Sequence, residues 1–147
     1  LQIDKENKKM EDIKIIGITV RTTNQDQKAA QNIPALWGKF MAQKLTEMIP
    51  HKASEAIYCV YTDYEKDYTA PYTVVLGCRV TSLDEIPEGM SGITFPEEKY
   101  KKFVAESPQT VINEWIKIWN SDLERTYKAD FEIYSDKPEV EIFIGVK

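Results

Sequence analysis

The chain carries one order of segments twice, and a duplication on this scale leaves few folds open to it. Laid side by side, AIYCVYTD (56–63) and ADFEIYSD (129–136) pair Tyr58 with Phe131, Tyr61 with Tyr134 and Asp63 with Asp136. TVVLGCRV (73–80) lies on EIFIGVK (141–147) through Gly77 and Gly145. Self-similarity over such a length implies internal pseudo-symmetry. Within 147 residues, each half is too short to bury much apolar surface alone, so the halves are expected to share one core.

Each half reads β-α-β-β. In the first, IKIIGITVRT is an apolar run suited to a buried strand. The helical stripe that follows uses Ile33, Leu36, Trp37, Phe40, Met41, Leu45 and Met48, with Asn32 as cap, Pro34 in the first turn and Pro50 as stop. AIYCVYTD and PYTVVLGCRV, rich in β-branched and aromatic residues, form a hairpin. In the second half KYKKFVAE is a strand and Ser107-Pro108 opens a helix. Val111, Ile112, Trp115, Ile116 and Trp119 give its stripe, and KADFEIYSD and EVEIFIGVK are the closing strands. Helices are thus expected near 33–49 and 108–120.

The fold class is α+β: duplicated βαββ units related by a pseudo-twofold axis, with antiparallel sheets and two main helices around a central ligand groove. Residues 1–10 are read as a tail or linker, and 11–147 as a single domain. Repeat one spans 11–82 and repeat two 98–147. The Gly-, Pro- and acid-rich segment 83–97 is the crossover between them.

Composition narrows the function. Net charge is −5, and the lysines are scattered among acids, so no basic face exists to neutralise phosphates and direct nucleic-acid binding is not expected. No apolar run approaches the roughly 20 residues that cross a bilayer, and LQIDKENKKMED lacks the apolar core of a signal peptide. Cys59 and Cys78 form no CxxC pair and no His cluster accompanies them, so two buried, reduced thiols in a cytoplasmic protein are expected. The sequence offers no metal-ligand cluster, no Ser-His-Asp set and no Gly-rich phosphate loop, and implies no cofactor.

One residue breaks the internal symmetry. The partner of Cys59 is Glu132, set between Phe131 and Ile133 in a strongly apolar strand. Strand alternation points Glu132 and Tyr134 one way and Phe131 and Ile133 the other. Two placements are open: a solvated sheet face, where glutamates usually sit, or a groove between the repeats that Trp37, Tyr61, Trp115, Trp119 and Phe143 also reach. In a groove, a carboxylate short of partners is answered by an incoming cation, which aromatic faces also attract.

These motifs resemble the GyrI-like superfamily, the AraC-type effector-binding domains. The likeness is carried by IPALWGKF, YTDYEKDYTAPYTVVLGCRV, GITFPEEKYKKF and DFEIYSDKPEVEIFIGVK, and runs from Ile13 to Lys147. The resemblance implies a binding module for lipophilic, cationic molecules, linked to transcription regulation or multidrug sensing in bacteria. Glu132 would meet the ligand's charge. Trp115, Trp119, Tyr61, Trp37 and Phe143 would form the remaining ligand contacts. It also implies protein partners, either a fused DNA-binding domain or gyrase. The alternative is a hydrolase of lipophilic compounds with Glu132 and Tyr61 as catalytic pair, or a gyrase-modulating interaction protein; binding is favoured over catalysis.

Overall fold

Two strands at opposite edges of one sheet are joined by only three residues, and that short link sets the shape of the molecule. The computed structural model describes residues 12–147; the tail assigned to 1–10 lies outside the described residues. Along the chain run β1 (Asp12–Thr22), α1 (Lys28–Ala42), β2 (Ile57–Thr62), β3 (Tyr72–Arg79), β4 (Ser91–Pro96), β5 (Tyr100–Ala105), α2 (Val111–Trp119), β6 (Ala129–Tyr134) and β7 (Val140–Gly145). The seven strands form one sheet in the order β4-β1-β3-β2-β6-β7-β5, and every pairing is antiparallel. Flat, such a sheet would separate β4 from β5 by about 29 Å. Residues 97–99 can bridge no more than about 14 Å, so the sheet curls until its two edges meet at one end.

Reading outward from the middle, the order is β2-β3-β1 on one side and β6-β7-β5 on the other. This is one βαββ unit and its pseudo-twofold copy, with the axis between β2 and β6. There Cys59 stands opposite Glu132 in register. The segment expected to be plain crossover carries β4, which extends the sheet beyond β1.

The two faces of the sheet divide the core. Concave, away from the helices, are Ile15, Val60, Val75, Phe131 and their neighbours. Convex, α1 covers Ile16, Val74, Leu76 and Cys78, while α2 covers Ile142 and Ile144. At the β1–β3 contact Gly17 faces Gly77; a Cβ on either would strike the carbonyl of Leu76 or Ile16. Both thiols are buried and unbridged.

The helices depart from expectation at their ends. α1 begins at Lys28, ahead of Asn32, because KAAQ are good helix formers and Ala29 buries against the sheet. Pro34 therefore lies inside the helix, and Asn32, far from capping it, donates from Nδ2 to Thr22 Oγ1 at 2.8 Å. α1 stops at Ala42, and a left-handed Lys44 turns the chain into a short 3₁₀ turn at Leu45–Met48, so Met48 falls out of phase and is 58% exposed. α2 buries Val111, Trp115 and Ile118. Ile112 and Ile116 are exposed, and Ile112 and the half-buried Trp119 border the cavity described next.

Candidate functional site

Alternation along β6 sends Asp130, Glu132 and Tyr134 to the helix face and Phe131 and Ile133 to the concave face. Both carboxylates are buried, Asp130 at 0% and Glu132 at 2% exposure. Each has gathered its own set of donors.

Glu132 is met from both repeats. Tyr61, on β2, donates to Oε2 at 2.9 Å, and its pseudo-symmetric counterpart Tyr134 donates to Oε1 at 2.7 Å. The Trp115 indole N–H, from α2, donates to Oε2 at 2.6 Å. Trp115 packs edge-on against Tyr61, ring centroids 5.3 Å apart, and Trp37 of α1 does the same to Tyr134 at 4.7 Å. The frame is thus two Trp–Tyr pairs around a strand pair, with a carboxylate on one strand and a thiol on the other. Burial raises the Glu132 pKa above the usual carboxylate value, and the hydrogen bonds from Tyr134, Trp115 and Tyr61 offset only part of that rise. Burial, and then the Glu132 charge, push the Cys59 thiol well up as well, so it stays protonated and unreactive.

Asp130 forms the second set. It accepts from the Tyr64 hydroxyl at 2.6 Å, from Arg125 Nη2 at 2.8 Å and from the Gly145 N–H at 2.8 Å.

In front of these two carboxylates, between α1 and α2, lies an open cavity of about 140 Å³. Its aromatic wall is Tyr61, Tyr64, Tyr68, Tyr72, Trp115 and Trp119; Ile33 of α1 and Ile112 of α2 close the sides, and Arg125 and Asn24 supply polar atoms. Tyr68 and Trp119 stack with centroids 5.8 Å apart. The space is apolar, concave and has few polar groups, which is the usual character of a small-molecule site. Among the described residues, no group of three or more His, Cys, Asp or Glu could hold a metal ion.

Of the residues singled out from sequence, Tyr61, Trp115 and Trp119 line this cavity. Glu132 stands one layer behind it, screened by Tyr61 and Trp115, two of the three side chains that hydrogen-bond to it. Trp37 packs on Tyr134 and does not reach the cavity wall. Phe143 lies on the concave face, stacked on Phe131 at 5.0 Å. Pairing fixes this: Glu132 is in register with Ile142, so Ile142 shares its face and Phe143 points the other way. Sequence reasoning passed over Asp130, although it shares the period-two face of Glu132 and Tyr134. It also passed over Tyr64, Tyr68 and Arg125, which sit in connections where no periodicity marks them.

Comparison with known proteins agrees with this architecture. The family model described as Cass2, integron-associated effector binding protein, matches residues 8–146. The chain resembles a Vibrio cholerae integron cassette protein of the mobile metagenome, with 31% identity and TM-score 0.74 over 95% of this chain and 94% of that one. The fold is shared with SAV2435, whose structure has tetraphenylphosphonium bound, at 18% identity and TM-score 0.76 over 95% and 92%. A Bacillus subtilis (strain 168) relative, YobU, named provisionally as a transcriptional regulator, is 26% identical over 89% of this chain and 90% of its own. Among the described residues no helix is long and apolar enough to cross a membrane.

Proposed function

The chain belongs to the integron-associated effector binding protein family, and from that premise we propose that it binds lipophilic, cationic small molecules in the cavity between α1 and α2. The observation that carries this reading is a carboxylate, Glu132, buried directly behind an aromatic wall. A cation against that wall gains from the faces of Tyr61 and Trp115, about 0.5–2 kcal/mol each. It also gains from the carboxylate at the hydrogen-bonding edges of these rings. At about 7 Å and an effective dielectric of 20, that attraction is about 2.4 kcal/mol. Tyr68 and Trp119 would hold the apolar body of the ligand. A role in drug sensing or transcription regulation follows if ligand binding changes how α2 sits for a partner protein.

Binding is favoured over hydrolysis by the same geometry. A general base must take a proton from water or substrate, yet both oxygens of Glu132 already accept from Tyr61, Trp115 and Tyr134.

The test is a titration of matched cationic and neutral aromatic dyes, read by quenching of the Trp fluorescence. Glu132→Gln should weaken the cationic dye by about 2 kcal/mol, the scale of that attraction, and leave the neutral one nearly unchanged, because its binding rests on apolar burial. Equal losses for both dyes would make Glu132 a structural residue, and no loss for either would remove it from the site.

A further inference from the structure

The outer sides of the two helices differ from each other, and each suits the other. On α2, Ile112 is 52% and Ile116 45% exposed, and the two lie one turn apart on one row. α1 buries Ala29, Leu36 and Phe40. Its opposite side exposes Ala35, Gly38 and Ala42, and a Cβ on Gly38 would meet nothing within 4 Å. That side is low and apolar, so branched side chains of another helix can pack closely on it.

Charge is segregated in the same way. Residues 28–44 contain Lys28, Lys39 and Lys44 and no acid. Residues 106–124 contain Glu106, Glu114, Asp122 and Glu124 against Lys117 alone, and Glu114 already takes Lys117 at 3.3 Å. Lys28, Lys44, Glu106 and Asp122 are exposed and make no ion pair among the described residues. Their spacing matches when the helices are laid antiparallel. Lys44 lies six residues after Gly38, and Glu106 six before Ile112; Lys28 lies seven before Ala35, and Asp122 six after Ile116.

We propose that this helix face is a self-association surface, on which α1 of one protomer lies antiparallel to α2 of a second copy. The partner's Ile112 and Ile116 pack on Gly38 and Ala35, while Lys44 faces the partner's Glu106 and Lys28 the partner's Asp122. Within one copy the cavity keeps α1 and α2 apart, so neither face can be satisfied internally. A twofold axis makes the same contact twice, and both complementary faces belong to this chain, which selects a second copy as the occupant. The isoleucines supply burial. The exposed charge pairs add little energy each but set the orientation. Because the cavity opens between α1 and α2, the partner's helices lie across its mouth. None of this depends on what the cavity binds.

Each crossing is only about 14 Å long, so a weak dimer with Kd of about 10–100 µM is expected. Sedimentation equilibrium across the micromolar to millimolar range measures it. Ile116→Glu, at an exposed position outside the cavity wall, should weaken the dimer about 10-fold or more. Lys44→Glu and Glu106→Lys should each weaken it about 2- to 5-fold, and the two combined should restore it. Mild oxidation of Ala35→Cys/Ile116→Cys should give a covalent dimer, since only close Cα pairs can be bridged, while neither single variant does so at a comparable rate. Cys59 and Cys78 are buried and stay out of this reaction. A chain that remains monomeric at millimolar concentration, or a dimer indifferent to Ile116→Glu, would overturn the proposal. So would a double charge variant no tighter than the single ones, or single cysteine variants that cross-link as fast as the pair.

Discussion

Tyr134→Phe removes a single hydroxyl and keeps the ring that packs on Trp37, so it isolates what the donors do for Glu132. Tyr134 donates to Oε1; Tyr61 and Trp115 both serve Oε2. Its loss leaves half of a buried carboxylate without a partner. A hydrogen bond to a charged group is worth about 1.5–3 kcal/mol, and one between neutral groups about 1 kcal/mol. The cost should therefore depend on pH. The folded pKa of Glu132 is raised above its unfolded value of 4.5, with burial as the largest cause. The wild-type contribution from this group is therefore full below that value and falls as pH rises through the folded pKa. Removing a donor raises the folded pKa further, so the variant binds its proton longer and loses more stability over the same rise. We expect a cost of about 1 kcal/mol at about pH 4, growing to about 1.5–3 kcal/mol once Glu132 is ionised, or about 5–10 °C in Tm for a domain of this size. Urea unfolding followed by Trp fluorescence across this range measures it. A parallel series in the Glu132→Gln background should show a smaller and pH-independent cost. A cost that is the same at every pH, or unchanged by Glu132→Gln, would refute the assignment of the hydroxyl to an ionisable partner.

Two further outcomes follow from the same structure. Affinity for a cationic dye should rise with pH above the ordinary carboxylate range and level off once Glu132 is ionised, while a neutral analogue stays flat; calorimetric titrations at several pH values check this. Gly77→Ala should destabilise the protein by several kcal/mol or prevent folding, because the added methyl meets the Ile16 backbone across the β1–β3 contact; denaturant melts give the value.

The duplication was legible because it is written in local pattern: strand alternation, helical spacing and Ser107-Pro108 all survive in the fold. Strand order, with the axis between β2 and β6, follows from that symmetry. The strand at Ser91–Pro96 was not legible, since SGITFP lies in a stretch dominated by Gly, Pro and acids and becomes a strand only by pairing with β1. Glu132 stood out because it breaks a repeat; alternation put it on the side of Tyr134 but left open whether that side was solvated or covered, which the packing of α1 and α2 decides. Phe143 shows the limit. Which face it takes depends on its register against β6, and a one-residue shift would reverse it. Arg125 is a tertiary fact throughout: it lies in an irregular connection and gains its setting from Asp130, Tyr64 and Tyr127, which distant segments bring together.

The most direct test of the account is a crystal structure of the protein with tetraphenylphosphonium. The account places the cation between α1 and α2, its phenyl rings against Tyr68, Trp115 and Trp119 and its positive centre on the Glu132 side of the cavity. A ligand seated instead on the concave face beside Phe131 and Phe143, or a cavity left empty at saturating cation, would contradict it.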